Sequence, residues 1–313
     1  MDAVQPATTH ARGLGIVYAA MTLGVVAVSS SSILITGLER RSVEPLVIAF
    51  YRMLLATFLL AVPAFKFKRD EIKRLSRNDL ILLIVSGLFL TIHFGSWIAS
   101  LKYIPISSSV LLVASHPLFV VIASAVFLGE FPTRRIVGGT ILGLAGTGLI
   151  LGEGFAGLNK ALWGDALALI GALSTVGYLL IGRKVRAHLS LLAYVVPAYA
   201  ACSLLLLGWA VVLGNRLTGY TGLDWACFVG LALLPTILGH TVLNWAIKHV
   251  PASAVSTALL GEPVVASVLA CFFFAQMPSV YTIAGGSLIL IGIYLVISKA
   301  FAPSLERALD TGT

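Results

Sequence analysis

The chain carries little charge for its length. Only 11% of its 313 residues are Asp, Glu, Lys or Arg, whereas a soluble domain contains about 25%. The few charged residues fall mainly in short stretches between long apolar runs. This distribution excludes a soluble domain of useful size and predicts an all-α integral membrane protein.

Cysteine is scarce as well. Cys202, Cys227 and Cys271 are far apart, and all three lie in apolar segments. Their spacing fits neither a disulfide framework nor a metal motif. We expect them to be small buried hydrophobic residues.

Motifs of enzymes and nucleotide-binding proteins are missing. The sequence contains no P-loop, no Rossmann glycine pattern, no His-Glu-x-x-His and no G-x-S-x-G. A zinc site formed by His93, His116 and His240 is disfavoured because they lie in three different apolar segments. The net charge of +8 is not gathered on a module that could bind nucleic acid. We expect no enzyme activity, no cofactor, no metal and no nucleic-acid partner.

Ten apolar segments have about the length, roughly 20 residues, that a helix needs to cross a bilayer. They run approximately over residues 14–37, 44–65, 80–101, 106–128, 134–152, 161–182, 190–213, 224–247, 253–275 and 279–299. Polar tails remain at 1–13 and 301–313. The first segment exceeds the apolar core of a signal peptide, about 7–15 residues, so we expect it to be retained.

The ten segments form two copies of a five-segment unit. The second halves of the copies align without a gap at an offset of 146 residues. The matching pairs are Lys102 and Lys248, Pro105 and Pro251, Ser107 and Ser253, Pro117 and Pro263, Pro132 and Pro278, Gly139 and Gly285, and Gly146 and Gly292. Because five is odd, the copies enter the membrane from opposite sides. The sequence therefore predicts two inverted five-helix repeats, at 14–152 and 161–300.

Lysine and arginine are unevenly distributed between the two sides that these segments define. With a cytoplasmic N-terminus, the inner segments hold fifteen of the 21 basic residues. The outer loops hold Arg40, Arg41, Lys102, Lys160 and Arg216. Cytoplasmic loops are enriched in Lys and Arg, so we expect both termini to lie in the cytoplasm.

Three stretches of the chain resemble a known family. They are Leu128-Gly-Glu-Phe-Pro-Thr-Arg-Arg-Ile-Val-Gly-Gly, Gly261-Glu-Pro-Val-Val-Ala and Phe50-Tyr-Arg-Met-Leu-Leu-Ala. Together with the duplication they are similar to the EamA branch of the drug/metabolite transporter superfamily. That resemblance covers residues 14–300. It implies a ten-helix inverted-repeat fold that moves small metabolites across the inner membrane without ATP, often as an exporter of amino acids.

The chain departs from the family pattern at two places. Gln276 stands where the first copy has Glu130, and the family usually has Glu. The first helix carries serines at 29–32 where the family commonly has a Trp-Gly pair. The second departure affects a helix expected to line the cavity, so substrate identity does not follow from the resemblance.

Two prolines interrupt helices at matching positions. Pro117 and Pro263 each remove a backbone donor and free the carbonyl four residues earlier, at Val113 and Leu259. A symmetric pair of broken helices points to a binding site near the midplane. The alternative is a tolerated kink without a ligand.

An ionisable residue precedes each of these prolines. Glu262 could bind a substrate ammonium group or carry a coupling proton. It could equally be a permanent tie between helices. His116 is a second candidate for proton coupling, or else a neutral hydrogen-bonded histidine.

Arg52 and the adjacent Tyr51 lie within the second segment. Arg52 could attract a substrate carboxylate, extend toward the interface, or cap a neighbouring helix. The sequence leaves these three roles open.

Polar and aromatic residues cluster in the later halves of the third and eighth segments. His93 and Trp97 are four residues apart and share a helix face, as do His240 and Asn244, with Trp245 beside them. Such a wall would suit an amino acid or a flat metabolite. Helix packing, interfacial anchoring and interhelical hydrogen bonds are the alternatives.

The sequence thus favours a secondary transporter that acts by alternating access. Its expected partners are the lipid bilayer, a small polar metabolite, foremost an exported amino acid or related compound, and protons as candidate coupling ions. The alternatives are an uptake carrier or facilitator for a nucleoside or organic acid, a channel or scaffold, and remotely a membrane-embedded lipid-modifying enzyme. The oligomeric state is left open.

Overall fold

The computed structural model describes residues 7–120, 123, 134–156, 160–246, 248–249, 258–259, 261–292 and 294–295. Every regular element in these ranges is helical. Helices α1 to α13 span Ala7–Ser29, Ser31–Glu39, Pro45–Phe67, Arg69–Lys73, Arg77–Ser100, Ile106–Val113, Arg134–Ala156, Lys160–Arg186, Leu191–Val212, Gly222–Leu231, Val242–Ala246, Gly261–Phe274 and Val280–Gly292. A π-helical segment, Ala232–Thr241, joins α10 to α11.

Some sequence predictions fall outside the described residues. They concern the C-terminal tail 301–313, the first six residues of the N-terminal tail, and Glu130 in the family-like stretch.

The described helices have the length and surface of membrane spans. Six stretches are long and apolar enough to cross a bilayer: Ile16–Glu39, Pro45–Phe67, Arg77–Ser100, Ala161–Arg186, Leu191–Val212 and Gly222–Ala246. Four apolar helices are shorter: Ile106–Val120, Val137–Ile150, Gly261–Phe274 and Val280–Gly292. Large apolar side chains face outward, with Val212 and Phe272 each 82% exposed. Lipid can cover such a surface, and the chain is a multi-pass membrane protein.

The first span differs from the uninterrupted helix expected from sequence. It begins at Ala7, inside the predicted polar tail, and it breaks at Ser30 between α1 and α2. Ser29 Oγ donates to Val25 O at 2.8 Å, and Ser30 Oγ donates to Ala27 O at 2.7 Å. Serine hydroxyls that bond to nearby carbonyls compete with the helical ladder. The serine run therefore explains the break.

Small residues allow the central helices to approach closely. Helix α9 packs along both α3 and α5, and α5 also packs along α8. At Gly87 of α5, an added Cβ would lie 2.7 Å from Cβ of Ala201 and 2.8 Å from the carbonyl oxygen of Ala198. A larger residue at this position would push α5 away from α9.

Helices α7 and α13 meet through glycines on both sides. A Cβ at Gly285 would lie 2.6 Å from the backbone oxygen of Gly146, and one at Gly146 would overlap the oxygen of Gly285. A Cβ at Gly292 would overlap the oxygen of Gly139. Because Gly139 contacts Gly292 while Gly146 contacts Gly285, the two helices run antiparallel. At the 146-residue offset Gly139 matches Gly285 and Gly146 matches Gly292, so each glycine of α7 contacts the counterpart of the other.

Candidate functional site

A cavity lies among α5, α6, α8, α11, α12 and the π-helical segment. Its volume is about 80 Å³. Leucine, valine and alanine form much of the lining. The polar and aromatic residues that also line it are His93, Trp97, His116, Thr175, Tyr178, His240, Asn244 and Glu262. An apolar enclosure with a few converging polar groups is typical of small-molecule sites.

His93 is held by the helix that faces it. Its Nδ1 lies 3.0 Å from the carbonyl oxygen of Gly171 and 2.8 Å from Thr175 Oγ1. The imidazole stacks on Trp97 with ring centroids 5.9 Å apart and planes 18° from parallel. Since Gly171 has no Cβ, α8 can approach within this distance. His93 and Trp97 thus form one surface of the cavity, as their four-residue spacing predicts.

The carbonyl left free by the helix break at Pro117 is bonded by the side chain of the preceding residue, His116. Helix α6 ends at Val113, and residues 116–120 resume a helix after a turn. Pro117 has no N–H for the carbonyl of Val113. His116 Nδ1 lies 3.1 Å from that carbonyl oxygen and takes the missing donor's place. His116 Nε2 is buried and has no hydrogen-bond partner among the described residues.

Glu262 occupies the matching position in the second half. It lies in the first turn of α12, directly before the buried Pro263, and its side chain lines the cavity. Its backbone oxygen lies 3.5 Å from Ser29 Oγ of α1. The structure therefore brings the two residues that precede the matched prolines, His116 and Glu262, to the same cavity.

Asn244 is tied to a tyrosine on the opposite wall. Its Nδ2 donates to Tyr178 Oη at 2.8 Å, and both side chains line the cavity. The ring of Tyr178 stacks on that of Tyr194 at 6.0 Å, and Tyr194 Oη lies 3.1 Å from Ser86 Oγ. Two hydrogen bonds and one ring contact thus join the cavity wall to the packing between α5 and α9. From the sequence, Tyr178 is more readily interpreted as a packing residue.

The π-helical segment places His240 at the cavity. Pro235 lies within this segment and removes one ladder donor. Thr236 and Thr241 bond with their hydroxyls to carbonyls five residues earlier, at 2.8 and 3.0 Å. His240 contacts the ring of Phe94 edge to face, with centroids 5.9 Å apart. Pro235 is the one sequence signal for this irregularity, and π-helical turns often occur at functional sites.

Arg52 is completely buried behind the cavity wall. Its Nε donates to Thr236 Oγ1 and its Nη1 to Ser31 Oγ, both at 2.8 Å. The guanidinium stacks on Phe94 at 4.3 Å from the ring centroid. Nη2 has no hydrogen-bond partner within the described ranges, and no carboxylate there lies within ion-pair distance. Arg52 is not itself part of the lining.

Two sequence candidates lie away from the cavity. Tyr51 donates its hydroxyl to Leu217 O at 2.6 Å and stacks on Phe228 at 4.8 Å. Trp245 packs on His249, with ring centroids 4.6 Å apart. Conversely, Thr175 lines the cavity without any motif in the sequence to mark it.

The charged contacts lie at the two ends of the bundle. At one end, Arg41 Nε donates to Asp224 Oδ1 at 2.5 Å, and this hydrogen bond raises the pKa of Arg41. Lys102 pairs there with Glu44 at 2.7 Å. Within the described part of the chain, no three His, Cys, Asp or Glu side chains are placed to hold a metal ion.

Glu71 forms charged contacts at the other end of the helix bundle. Its Oε1 accepts the backbone N–H of Ser190 at 2.6 Å, and Oε2 lies 3.6 Å from Lys68 Nζ. Burial alone would raise the pKa of Glu71, but the bonds to Ser190 and the charge of Lys68 outweigh it and lower the pKa below its ordinary value.

Solved structures contain the same fold. One crystal structure superposes on the chain with a TM-score of 0.65 and covers 90% of this chain and 97% of its own. The two sequences are 19% identical, so this likeness shows the fold alone.

Curated relatives are transporters. A transporter of Archaeoglobus fulgidus is 26% identical, over 83% of this chain and 90% of its own. The pseudopaline exporter CntI of Pseudomonas aeruginosa is 23% identical, over 78% of this chain and 83% of its own. A probable terminal-alkyne amino-acid exporter of Streptantibioticus cattleyicolor is 25% identical, over 62% of this chain and 65% of its own.

The family comparison covers nearly the whole molecule. The model of the EamA-like transporter family matches residues 14–152 and again residues 162–298. With the transporter relatives, these matches support a transport role rather than an enzymatic one. The chain belongs to the EamA-like transporter family.

Proposed function

We propose that the protein is a secondary transporter that moves a small polar metabolite, foremost an amino acid or related compound, through the cavity described above. The observation that carries this proposal is the position of that cavity. It lies inside an apolar helix bundle and combines charged, amide and aromatic side chains. Such groups are costly in a membrane unless they serve a water-filled path or a ligand.

The architecture of this proposal is two inverted five-helix repeats with ten spans. The antiparallel glycine contact of α7 with α13 supports it. Gly139 contacts Gly292, the counterpart of Gly146, and Gly146 contacts Gly285, the counterpart of Gly139. An interface of this reciprocal kind arises around a twofold axis. The four shorter apolar helices would complete the ten spans together with the six long ones. The excess of Lys and Arg in the inner segments supports cytoplasmic termini. The proposal places the protein in the inner membrane.

The cavity chemistry and two relatives support the proposed substrate class. Glu262 can attract an ammonium group, and Trp97 offers an aromatic surface. The relatives named above include a pseudopaline exporter and a probable terminal-alkyne amino-acid exporter. We favour export, with uptake of the same compounds as the alternative, because direction follows the imposed gradients.

Proton coupling is part of the proposal at Glu262, with His116 as a helper. A carboxylate that exchanges its proton within a membrane cavity can bind either a proton or a cationic substrate, but not both. The two cargoes would then compete for one site, which is the elementary requirement of an exchanger.

The test is transport by purified full-length protein in proteoliposomes. Labelled amino acids, nucleosides and organic acids are loaded with and without a pH gradient, for wild type and Glu262→Gln. We expect saturable counterflow of one amino-acid-like class, and loss of its pH-driven component in the variant. Counterflow of nucleosides or organic acids alone would favour those substrates instead. Linear flux without counterflow would identify a channel and overturn the carrier.

A further inference from the structure

The two best-fixed histidines of the cavity share one protonation pattern. His93 Nδ1 lies 3.0 Å from Gly171 O, and His116 Nδ1 lies 3.1 Å from Val113 O. A carbonyl oxygen can only accept, so Nδ1 must carry the hydrogen in both rings. In the neutral imidazole the other nitrogen, Nε2, is then an acceptor with a free lone pair.

The contact with Thr175 does not change this assignment for His93. Thr175 Oγ1 lies 3.0 Å from Gly171 O and can donate its hydrogen there. If Thr175 donated to Nδ1 instead, the lone pair of Gly171 O would face a bare nitrogen only 3.0 Å away. With Thr175 donating to Gly171 O, the Nδ1–H of His93 can donate to Gly171 O or to Thr175 Oγ1, and Nδ1 carries the hydrogen in both arrangements.

For His116 the same pattern is built into the helix break. Pro117 leaves the carbonyl of Val113 without its helical donor, and the ring supplies one. If the ring flipped, the carbonyl of Val113 would lose its hydrogen-bond donor. Nε2 is meanwhile buried and unpartnered among the described residues, while the ring lines the cavity. A buried acceptor without a partner implies that something else donates to it.

We infer that His93 Nε2, His116 Nε2 and the Glu262 carboxylate form a hydrogen-bond acceptor wall that recognises a primary ammonium group on the substrate. Such a group has one positive charge and three N–H donors. Glu262 meets the charge, and the two lone pairs meet the remaining donors. This inference rests on the transport role proposed above and names the group by which the same cavity selects its substrate.

The wall distinguishes N–H donors from positive charge alone. A quaternary ammonium ion has the charge but no donor, so it can use only Glu262 and the face of Trp97. The matched probes are therefore 2-phenylethylammonium and trimethyl(2-phenylethyl)ammonium, which share the ring and the charge but carry three N–H groups and three N–CH₃ groups respectively. Because the methyl groups also add bulk, the histidine variants decide whether a preference arises from the N–H donors. Binding to the detergent-solubilised full-length protein is measured by calorimetry and thermal shift.

We expect wild type to bind the primary ion at least about tenfold more tightly, since hydrogen bonds to charged groups are among the stronger ones. The preference should shrink toward unity in His93→Phe and His116→Phe. His249→Phe is the matched control, because His249 is exposed and outside the lining, so the preference should stay. Equal binding of both ions by wild type, binding of neither, or a preference retained in the double variant would overturn the inference.

A second measurement tests the acceptor wall without any ligand. In protein labelled with ¹⁵N-histidine, two-bond ¹H–¹⁵N correlations show which ring nitrogen carries the hydrogen, and the two Phe variants assign the signals. We expect Nδ1–H for His93 and His116; Nε2–H in either ring would overturn the inference. Counterflow of a compound without an ammonium group would refute the wall but leave transport intact. Selective ammonium binding without any counterflow would support the wall and refute the transport proposal.

Discussion

Phe94 and His240 contact each other edge to face, with ring centroids 5.9 Å apart, and their positions match at the 146-residue offset of the two halves. A residue that touches its own counterpart lies close to an axis of symmetry. Gly146 and Gly285 lie at a second reciprocal contact, between α7 and α13. Both contacts support the approximate twofold axis of the proposed inverted repeats, on which the cavity would open alternately to either side.

The glycine contact between α7 and α13 should be intolerant of any side chain. Gly146→Ala and Gly285→Ala place a methyl group against the backbone of the facing helix. We expect each to destabilise the protein by about 1–3 kcal/mol, as overpacking does. Thermal unfolding in detergent measures the loss. Gly148→Ala is the control, because no atom lies within 4 Å of its added Cβ. A loss of equal size in the control would show that the close approach is not the cause.

Arg52 should be irreplaceable by lysine. The guanidinium donates in two directions, to Ser31 and Thr236, and stacks on Phe94. A lysine keeps the charge but loses the planar fork. We expect Arg52→Lys to cost roughly 2 kcal/mol or more. The matched change Arg69→Lys, at an exposed site on α4, should cost almost nothing. Equal stability of the two variants would show that the hydrogen bonds of Arg52 to Ser31 and Thr236 do not stabilise the fold.

Glu71 should stabilise the protein only above acidic pH. Its pKa is lowered in the folded state from an ordinary value of 4.5. A lowered carboxyl pKa gives stability that is complete above the unfolded value and disappears as the pH falls through the folded value. The side chain is 27% exposed, so solvent screens its charge and the effect should stay below about 1 kcal/mol.

The corresponding variant is Glu71→Ala, with Asp70→Ala as its exposed neighbour control. We expect a small loss of thermal stability in Glu71→Ala at pH 7 that shrinks as the pH falls below 4.5. The Asp70 variant should behave like wild type throughout. A Glu71→Ala deficit that is constant with pH would mean that the carboxylate is not the stabilising group.

Pro117→Ala should slow transport while leaving the fold intact. The alanine supplies the N–H that the carbonyl of Val113 lacks, so His116 is no longer needed as its donor. The freed ring can then lose its fixed orientation. We expect a rise in the half-saturation concentration of several fold, with unchanged or slightly higher thermal stability. Unchanged counterflow kinetics would separate the helix break from substrate binding.

Much of the site could be anticipated from sequence because its signals are local. Pro117 predicts the interruption that follows α6, Pro263 lies in the first turn of α12, and the residues before these prolines, His116 and Glu262, both line one cavity. The four-residue spacing of His93 and Trp97 likewise places both on it. Whether these residues bind substrate stays a prediction.

Other positions depend on contacts between distant segments. Trp245 follows Asn244 directly, yet a single step along a helix turns it away to pack on His249. Tyr51 is next to Arg52 but reaches Leu217 in another loop. Thr175 carries no motif and joins the cavity only because α8 packs along α5. Helix periodicity alone cannot show which face of a membrane helix lines the cavity, since most of its faces are apolar.

The most direct test of the transport account is two-sided access to the cavity. Cys202, Cys227 and Cys271 are replaced, and Ala114→Cys is introduced in the cavity wall. A membrane-impermeant thiol reagent is then applied from inside or outside sealed vesicles. We expect labelling from each side while the vesicles stay tight to unbound solutes, and no labelling at the lipid-facing control Leu204→Cys. Labelling of the cavity from one side only, whatever the gradients, would contradict alternating access.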